Sequence, residues 1–294
     1  MPRTFVILNP NSGKGRGRRL EPRIREVFRS QEAEFGLTAR PGDEERLAAE
    51  AVSRGFDRIV AVGGDGTTSN IGHAIMESGR PVALGLVPGG TGCDLARSLD
   101  IPQDDLSRCA EIVAAGRTRA IDVGKVEDRH FLNVAGFGFD IAVLERSFKV
   151  KWLRGELLYL YCALREMKAY PGFGLRSALD GRPGPSGTHM MVIVANAKKF
   201  GGGFAIAPEA SLDDGEVDIV FFGDLGFLAR LKAMGALMKG THNGLPGIGT
   251  VRARRAVFDF DAAPSFETDG EWRQAQGSTL VLETLPRALN VLVP

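Results

Sequence analysis

The chain has 294 residues, 44% of them hydrophobic and 25% charged, a composition typical of a globular protein with one large or two modest cores. Two domains are the expected number at this length. Lys and Arg number 37 against 36 for Asp and Glu, so the overall charge does not favour nucleic acid as a partner.

The apolar segments show no sign of secretion or of membrane insertion. The first apolar run ends at Asn9 and Pro10, which makes it too short for a signal peptide, and no later run approaches the roughly 20 apolar residues of a membrane span. Cys93, Cys109 and Cys162 are an odd number without metal-ligand spacing, so a disulfide framework is not expected. We therefore expect a cytoplasmic protein.

The first 120 residues alternate short apolar runs with helical patterns, as in a parallel sheet covered by helices. In chain order, the pattern predicts strand 5–9, helix 18–30, helix 43–54, strand 58–64, helix 67–78 and strand 82–87. Two of the predicted strands end in glycine-rich turns.

Beyond residue 120 the pattern changes to that of a β-rich domain. Strand-like runs occur at 120–126, 131–135, 189–195, 217–222, 257–260 and 279–283, with helical insertions at 139–170 and 225–239. The last apolar run, 288–293, is predicted to return to the first domain as a strand. We therefore predict an α/β domain at 1–120, completed by a strand within 287–294, and a β-rich domain at 121–286.

The strongest chemical signal is the turn Gly63-Gly64-Asp65-Gly66-Thr67, where a predicted buried strand gives way to a helix. Glycines let the backbone approach phosphates closely, and the start of a helix supplies unpaired N–H donors. A carboxylate beside them can hold magnesium through water. Glycines after a strand often serve only close packing, but the aspartate within this turn favours phosphate and metal binding.

Two further polar turns follow neighbouring strands. One is Pro88-Gly89-Gly90-Thr91-Gly92-Cys93-Asp94, and the other is Asn9-Pro10-Asn11-Ser12-Gly13-Lys14-Gly15. Because open α/β sheets bind ligands at the carboxyl edge of their strands, the three turns predict one crevice. The turns match neither the Walker phosphate loop nor the G-x-G-x-x-G dinucleotide motif with its acidic partner.

The motifs Asn-Pro-x-Ser-Gly, Gly-Gly-Asp-Gly-Thr, Pro-x-Gly-Thr and a late Asp-Gly-Glu at 269–271 occur in this order. They resemble the diacylglycerol kinase catalytic domain family, which includes bacterial lipid kinases and the sphingosine and ceramide kinases. The resemblance covers nearly the whole chain. It implies a nucleotide-binding α/β domain of the NAD kinase and phosphofructokinase type, followed by a β-sandwich-type domain. It also implies ATP and Mg²⁺ as cofactors and a lipid hydroxyl as acceptor.

By this resemblance the three turns and their surroundings bind the nucleotide, with Thr38 as a weaker contact. The candidate residues are Asn9, Ser12, Gly13, Thr38, Gly63, Gly64, Asp65, Gly66, Thr67, Thr68, Ser69, Asn70, Gly90 and Thr91. Asp65 is expected to organise the nucleotide's magnesium. Asp269 or Glu271 is expected to accept the proton of the lipid hydroxyl, and the sequence does not choose between them. The alternative interpretation of Asp269-Gly270 is a plain hairpin turn.

The segment 212–216 resembles a structural metal loop of bacterial family members. Carried over, the ligands are the Asp214 side chain and the carbonyl groups of Ser211 and Glu216. Oxygen ligands suit magnesium, although Asp-Asp-Gly is also a common turn. Residues 196–203 also match the family and are predicted to lie near the cleft.

Two positions depart from the family pattern. Bacterial members often have Asn where this chain has Cys93, and Asn-Glu where it has Ser69-Asn70. The missing glutamate raises the alternative of reduced activity or a different substrate. The intact loop glycines and Asp65 favour a working enzyme.

Two segments are candidates for lipid contact. Residues 12–25 contain six basic residues and one acid, which would attract ATP and anionic headgroups. Residues 149–168 combine Trp152, Leu153 and further apolar residues with flanking Arg154, Arg165 and Lys168, as in an interfacial helix or a lid. The alternatives are a solvated helix face and an ordinary packed helix. The four histidines, His73, His130, His189 and His242, show no metal spacing and are expected to be structural.

We therefore expect a lipid kinase that associates peripherally with a membrane surface, and a homodimer is compatible with the sequence. Diacylglycerol is the leading acceptor, with phosphatidylglycerol or a sphingoid base as runners-up. One alternative is an NAD kinase-type enzyme with a soluble substrate, which shares the Gly-Gly-Asp-Gly-Thr turn but does not predict the late Asp-Gly-Glu. The other is a nucleotide-binding regulator that has lost catalysis.

Overall fold

The computed structural model describes residues 2–90, 92–150 and 156–294. Its N-terminal strands are β1 Thr4–Leu8, β2 Glu34–Leu37, β3 Arg58–Gly63 and β4 Ala83–Pro88. They pair in parallel in the order β2-β1-β3-β4. The side chains of β1, β3 and β4 are almost all buried, as expected for parallel strands covered by helices.

The helices of this part follow the strands in turn. They are α1 Ser12–Val27, α2 Asp43–Ser53, α3 Asp65–Ser78, α4 Asp94–Ser98 and α5 Leu106–Ala115, with a 3-10 turn at Arg29–Gln31 after α1. At the start of α1, Gly13, Lys14 and Gly15 have left-handed backbone angles, so the regular helix begins only after this turn. The turn thereby places the segment after β1 beside the ends of β3 and β4.

The second half is built mainly from antiparallel strands. They are β5 Thr118–Val126, β6 Arg129–Phe131, β7 Val134–Gly138, β8 Phe173–Leu179, β9 Arg182–Pro183, β10 Gly187–Ala195, β11 Val217–Gly223, β12 Ile248–Ala253, β13 Arg255–Phe260, β14 Ser265–Thr268, β15 Glu271–Gln274 and β16 Thr279–Leu292. The helices are α6 Phe139–Lys149, α7 Glu156–Ala169 and α8 Phe227–Lys239. No described helix is long and apolar enough to cross a membrane.

The second half has two apolar cores. Phe137 and Phe258 belong to a core between the strands, and their rings make an edge-to-face contact with centroids 5.8 Å apart. Phe139 and Met190 belong to a second core, formed between the strands and helices α6, α7 and α8. The strands therefore pack against an apolar core on each side, as in a sandwich with an added helical layer.

Strand β16 connects the two halves. It pairs antiparallel with β13 and β5, and near its end Val291 pairs in parallel with Leu84 of β4. The register with β5 shifts between Leu285 and Leu289. The two runs expected at 279–283 and 288–293 are therefore one strand, because the interruption between them is a bulge rather than a loop.

Other elements also differ from the sequence pattern. The run expected at 131–135 is divided into β6 and β7, and the insertion at 139–170 consists of α6 and α7. The short strands β2, β14 and β15 were not predicted, because three or four residues carry too little periodicity. Trp152, Leu153 and Arg154 of the expected lipid-contact segment lie outside the described residues, as does Thr91.

Candidate active site

The three turns predicted from the sequence meet in one cleft at the carboxyl edge of the parallel sheet. Its volume is about 780 Å³. The walls combine residues of the N-terminal turns with residues around the start of β15. Among the lining residues are Asn9, Ser12, Gly13, Thr38, Glu44, Gly64, Asp65, Gly66, Thr67, Asn70, Gly90, Asp269, Glu271 and Arg273.

The start of helix α3, with its first backbone N–H groups, faces this cleft. The N–H of Thr68 is the first to bond within the helix, to the Gly64 carbonyl at 3.0 Å. The N–H groups just before Thr68 therefore have no carbonyl partner inside the helix. Gly64 also packs against Gly90, where an added Cβ would lie 2.4 Å from the Gly64 Cα. Only glycine fits at position 90, and two of the turns are thus in direct contact.

The turn after β1 is fixed by its own polar side chains. The Asn9 amide donates to Thr67 Oγ1 at 3.2 Å and to Glu44 Oε1 at 3.1 Å. The Ser12 hydroxyl donates to the Asn9 carbonyl at 2.9 Å. Gly13 has φ +56, and a side chain there would collide with the Gly89 carbonyl. All three turns are therefore interlocked.

Asp65 holds the second turn in place. Its Oδ1 accepts from the N–H of Asp94 at 2.6 Å and its Oδ2 from the N–H of Cys93 at 2.8 Å. Burial raises the pKa of Asp65, and these two hydrogen bonds oppose that increase. Cys93 has a left-handed φ of 54, a conformation in which Asn is favoured over most residues. This explains in physical terms why Asn, which the family pattern has here, would suit position 93.

Asp269 is buried and fully engaged with the backbone. Its carboxylate accepts from the N–H groups of Leu132 at 2.8 Å, Asn133 at 2.8 Å and Val134 at 3.0 Å. Leu132 and Asn133 form the break between β6 and β7, and Val134 begins β7. Burial raises the pKa of Asp269, and the three backbone donors act in the opposite direction. Its side chain thus organises the chain break beside the cleft.

Glu271 is exposed, and its side chain reaches across the cleft to the turn 63–67, which follows β3. A Cβ added to Gly66 would lie only 2.7 Å from Glu271 Oε1. No hydrogen bond or ion pair to the Glu271 carboxylate occurs within the described part of the chain. Burial raises the pKa of the neighbouring Glu44, and the negative charge of Glu271 adds to this increase. A free carboxylate from the second half of the chain therefore lies at the start of α3.

The other predicted nucleotide residues are distributed around this centre. Thr38 is buried at the cleft wall, and Asn70 Oδ1 accepts from Arg129 at 3.0 Å. Ser69 is buried, and its hydroxyl bonds to Asp269. Gly63 and Thr68 are not among the residues that line the cleft. Thr91 is not described.

A second, acidic cavity of about 370 Å³ adjoins the cleft and shares Asp65, Gly92, Asp269 and Gly270 with it. Asp94, Asp140 and Glu267 add three more carboxyl groups to its lining, which contains no basic residue within the described part of the chain. The remaining lining residues are Asn133, Val134, Leu144, Phe200, Gly201 and Gly202. The cavity thus combines acidic groups with an apolar wall.

The acidic cavity contains groups that need a hydrogen-bond donor or a proton. Asp94 Oδ1 and Asn133 Oδ1 are buried without a partner among the described residues. Burial raises the pKa of Asp140 to about 6, and burial followed by the charges of Asp140 and Asp269 raises the pKa of Glu267. The two carboxyl groups therefore both favour the protonated form more than a carboxyl group in water does.

Sequence reasoning missed Asp94, Asp140, Glu267 and Glu44 as site residues. Asp140 lies two residues after the strand end at Gly138, just as Asp65 lies two residues after the strand end at Gly63. Glu267 lies on β14, two residues before Asp269, which is in the turn that follows this strand. Asp94 was quoted in the second turn but given no role.

The predicted metal loop lies apart from the residues that line the cleft. The N–H of Glu216 donates to Asp214 Oδ1 at 3.1 Å, which closes a tight turn. Asp213 accepts from Ser211 and pairs with Arg119 at 2.9 Å. Asp214 has no ion-pair partner among the described residues, so its second carboxylate oxygen is open to a cation.

Comparisons with known proteins identify the chain in two parts. Residues 3–126 match the family described as diacylglycerol kinase catalytic domain. Residues 133–293 match the YegS C-terminal NAD kinase beta sandwich-like domain. Together the two matches span nearly all of the sequence.

Relatives match over most of their length. A diacylglycerol kinase of Mycobacterium tuberculosis (strain ATCC 25618 / H37Rv) is 30% identical over 257 residues, which are 86% of this chain and 82% of that protein. A diacylglycerol kinase of Bacillus subtilis (strain 168) is 28% identical over 297 residues, covering 100% of this chain and 97% of that protein. A probable YegS-like lipid kinase of Klebsiella pneumoniae (strain 342) is 30% identical, covering 100% and 96%.

Solved structures show the same fold. A putative diacylglycerol kinase from Bacillus anthracis str. Sterne superposes with a TM-score of 0.82 at 24% identity, over 99% of this chain and 97% of that one. An NAD kinase from Archaeoglobus fulgidus in complex with ATP superposes with a TM-score of 0.55 at 16% identity, over 99% and 93%. The predicted fold class is confirmed. The chain belongs to the family of diacylglycerol kinases and related lipid kinases, and its predicted identity as a kinase is thereby confirmed.

Proposed function

We propose that the protein transfers the γ-phosphate of ATP to the hydroxyl of an uncharged lipid, with diacylglycerol as the leading acceptor. The observation that carries the proposal is the free Glu271 carboxylate, which extends from the second half of the chain to Gly66 in the nucleotide turn. The cleft and the acidic cavity share Asp65, Gly92, Asp269 and Gly270, and Gly270 directly precedes Glu271. We assign ATP binding to residues 1–120 with 287–294 and lipid binding to residues 121–286.

The cleft suits a nucleotide triphosphate. The unpaired N–H groups at the start of α3 offer phosphates a positive dipole end, and the close contact of Gly64 with Gly90 leaves the backbone accessible. Magnesium would neutralise charge on the phosphates during transfer. Asp65 is the carboxylate best suited to hold it through water, since both its oxygens are already oriented by backbone donors.

Of the two candidate bases, the geometry favours Glu271. Asp269 already accepts three backbone N–H bonds and is buried, so it has little capacity to take a proton from substrate. Glu271 is exposed at the boundary between the nucleotide turn and the second half of the chain. We assign Glu271 as the general base and Asp269 as the residue that positions the neighbouring chain break. In the reaction, Glu271 accepts the hydroxyl proton as the acceptor oxygen bonds to phosphorus and ADP leaves.

The acidic cavity, which Asp269 also lines, supports an uncharged acceptor. Its unpartnered Asp94 and Asn133 oxygens can accept hydrogen bonds from hydroxyl groups, and both carboxylate oxygens of Asp140 are buried. A phosphodiester headgroup would meet several acidic groups in a medium of low dielectric constant, where like charges repel strongly. This disfavours phosphatidylglycerol among the three acceptors considered. A sphingoid base, whose ammonium group is positive, is the second candidate.

We further propose that the loop at 211–216 holds a structural magnesium ion through Asp214 and the carbonyl groups of Ser211 and Glu216. The open Asp214 oxygen and the hard-oxygen donor set support this assignment. We place the enzyme in the cytoplasm, peripherally bound to membranes.

The test is phosphate transfer from radiolabelled ATP to each acceptor in neutral-detergent micelles. We expect label in diacylglycerol, less in a sphingoid base and least in phosphatidylglycerol. NAD is included as a soluble acceptor. Label in NAD and in no lipid would contradict the proposal.

A further inference from the structure

Helix α8 has two apolar faces, and only one of them packs on the protein. Arg230, Ala233 and Leu237 are buried against the helical core. Leu228 and Met238, on the other face, are 78% and 66% exposed. Of the eight large hydrophobic side chains exposed in the described part of the chain, five lie on α7 or α8, namely Leu164, Phe227, Leu228, Leu231 and Met238. Such a concentration marks an interaction surface rather than scattered surface residues.

Most of the charges on the two helices around these side chains are positive, with Asp224 just before α8 as an exposed exception. Lys232 and Lys239 are exposed on α8, and Arg165 and Lys168 are exposed on α7. Helix α8 contains no acidic residue. Arg230 is buried and donates to the carbonyls of Leu225, Met167 and Tyr170, so it fixes α8 to α7 rather than adding to the surface charge.

The surface is connected to the acidic cavity. Gly240, at the end of α8, packs so closely against Ala205 and Pro208 that a side chain would crowd both. The segment just before them, including Phe200 and Gly202, lines the acidic cavity. A lipid layer in contact with α8 would therefore adjoin the chain segment that borders the proposed acceptor site.

We propose that the exposed faces of α7 and α8 form the docking surface for an anionic lipid bilayer. The leucines and Met238 enter the boundary between headgroups and acyl chains, while the four cations contact anionic headgroups. The purpose of this docking surface rests on the proposed lipid kinase function. The binding itself does not depend on catalysis.

The test compares vesicle co-sedimentation of the wild type, the double variant Leu228→Ser/Leu231→Ser and the control Val251→Ser. Val251 is also exposed but lies on β12, away from this surface. With vesicles of phosphatidylcholine and phosphatidylglycerol, we expect the double variant to lose binding by about tenfold or more and the control to bind like the wild type. Both variants should phosphorylate a dispersed short-chain diacylglycerol at the wild-type rate.

Equal vesicle binding by the double variant and the wild type would overturn the proposal. So would a wild-type protein that does not bind these vesicles, or a dimer that the double variant converts to monomer, since α8 would then be a protein interface. If vesicle binding follows the expectation but no lipid is phosphorylated, the docking surface stands and the proposed function fails.

A second, independent observation concerns two histidines and a glutamate outside the cleft. His73 and Glu77 lie four residues apart on α3, and His130 comes from β6. The two Nδ1 atoms are 3.1 Å apart, and His130 Nδ1 is 3.6 Å from Glu77 Oε1. Ligand atoms of a tetrahedral zinc ion, each bound at about 2.0 to 2.2 Å, have comparable separations.

Both histidines are buried, and their rings are close enough to bind one ion together. A surface cleft lined by Glu45, His73 and Glu77 gives access from solvent. We infer that His73, Glu77 and His130 form a site for Zn²⁺ or a similar transition metal, which joins α3 to β6. No metal-ligand spacing is visible in the sequence here, because 57 residues separate the two histidines.

The test is calorimetric titration of the full chain, freed of metal, with ZnCl₂. We expect one ion per chain, a higher Tm with zinc, and loss of both effects in His130→Asn and His73→Asn. His189→Asn, which changes a buried histidine elsewhere, is the control and should bind like the wild type. Equal binding by all variants, or none by the wild type, would show that the histidine pair is only a hydrogen bond.

Discussion

The cleft and the acidic cavity present different chemistry within the same molecule. The N-terminal cleft offers backbone groups, with glycines at the points of closest approach and the start of α3 as its donor. The acidic cavity offers side-chain carboxyl groups, several of them buried. Backbone sites depend on glycine conformation and tolerate few added atoms, whereas carboxyl sites depend on charge. Substitutions should therefore affect the two regions through different measurements.

The largest effect on ATP affinity is expected from Gly90→Ala. The new Cβ would lie 2.4 Å from the Gly64 Cα, so the two nucleotide turns must separate. ATP affinity should fall by at least about tenfold, measured by titration calorimetry. Gly235→Ala is the control, because an added Cβ on exposed α8 meets no atom within 4 Å. Unchanged ATP affinity in Gly90→Ala would show that the turns are less tightly packed than described.

Asp269→Asn should destabilise the fold. The amide would point an N–H group at a cluster of three backbone donors, leaving buried donors unsatisfied at a cost of about 1 to 3 kcal/mol. Denaturant unfolding should show this loss, with ATP affinity nearly unchanged in the folded protein. A variant as stable as the wild type would contradict the positioning role assigned to Asp269.

Asp140→Asn should alter the choice of acceptor. Removing an acidic group reduces repulsion of a phosphodiester, so kcat/KM for phosphatidylglycerol relative to diacylglycerol should rise by about threefold to tenfold. The KM for ATP should not change. An unchanged ratio would remove the acidic cavity from the acceptor site.

The same variant has a pH signature. The folded-state pKa of Asp140 is raised to about 6, so the native state binds a proton more tightly than the unfolded chain. This contribution to stability is present below the unfolded pKa near 4 and is lost as the pH rises through about 6. Between pH 4 and 7, wild-type Tm should fall with pH more steeply than the Tm of Asp140→Asn. Parallel curves would contradict the raised pKa.

The smallest effect is expected at the metal loop. Asp214→Ala should lower Tm by a few degrees and reduce activity, and added magnesium should not restore either. A chelator should lower the Tm of the wild type but not that of the variant. An identical wild-type Tm with and without chelator would reduce the loop to a plain turn.

The sequence predicts the N-terminal cleft more fully than the acidic cavity. The site role of the turn 63–67 can be predicted because its glycines, its aspartate and the strand before them are consecutive in the chain. The acidic cavity combines Asp94 of the first half with Asp140 and Glu267, which the antiparallel pairing of β7 with β14 brings close together. No local pattern reports that pairing. The choice between Asp269 and Glu271 also needed burial and hydrogen bonds, because both residues are carboxylates in one short motif.

The central claim is that Glu271, supplied by the second half of the chain, acts as base at a nucleotide site built by the first half. The most direct measurement is kcat for diacylglycerol phosphorylation by Glu271→Gln, together with its ATP affinity. Gln keeps the size of the side chain but cannot accept the proton, so we expect kcat to fall by about 10² to 10⁴ while ATP affinity stays within about twofold. A Glu271→Gln enzyme that phosphorylates diacylglycerol at the wild-type rate would contradict the assignment.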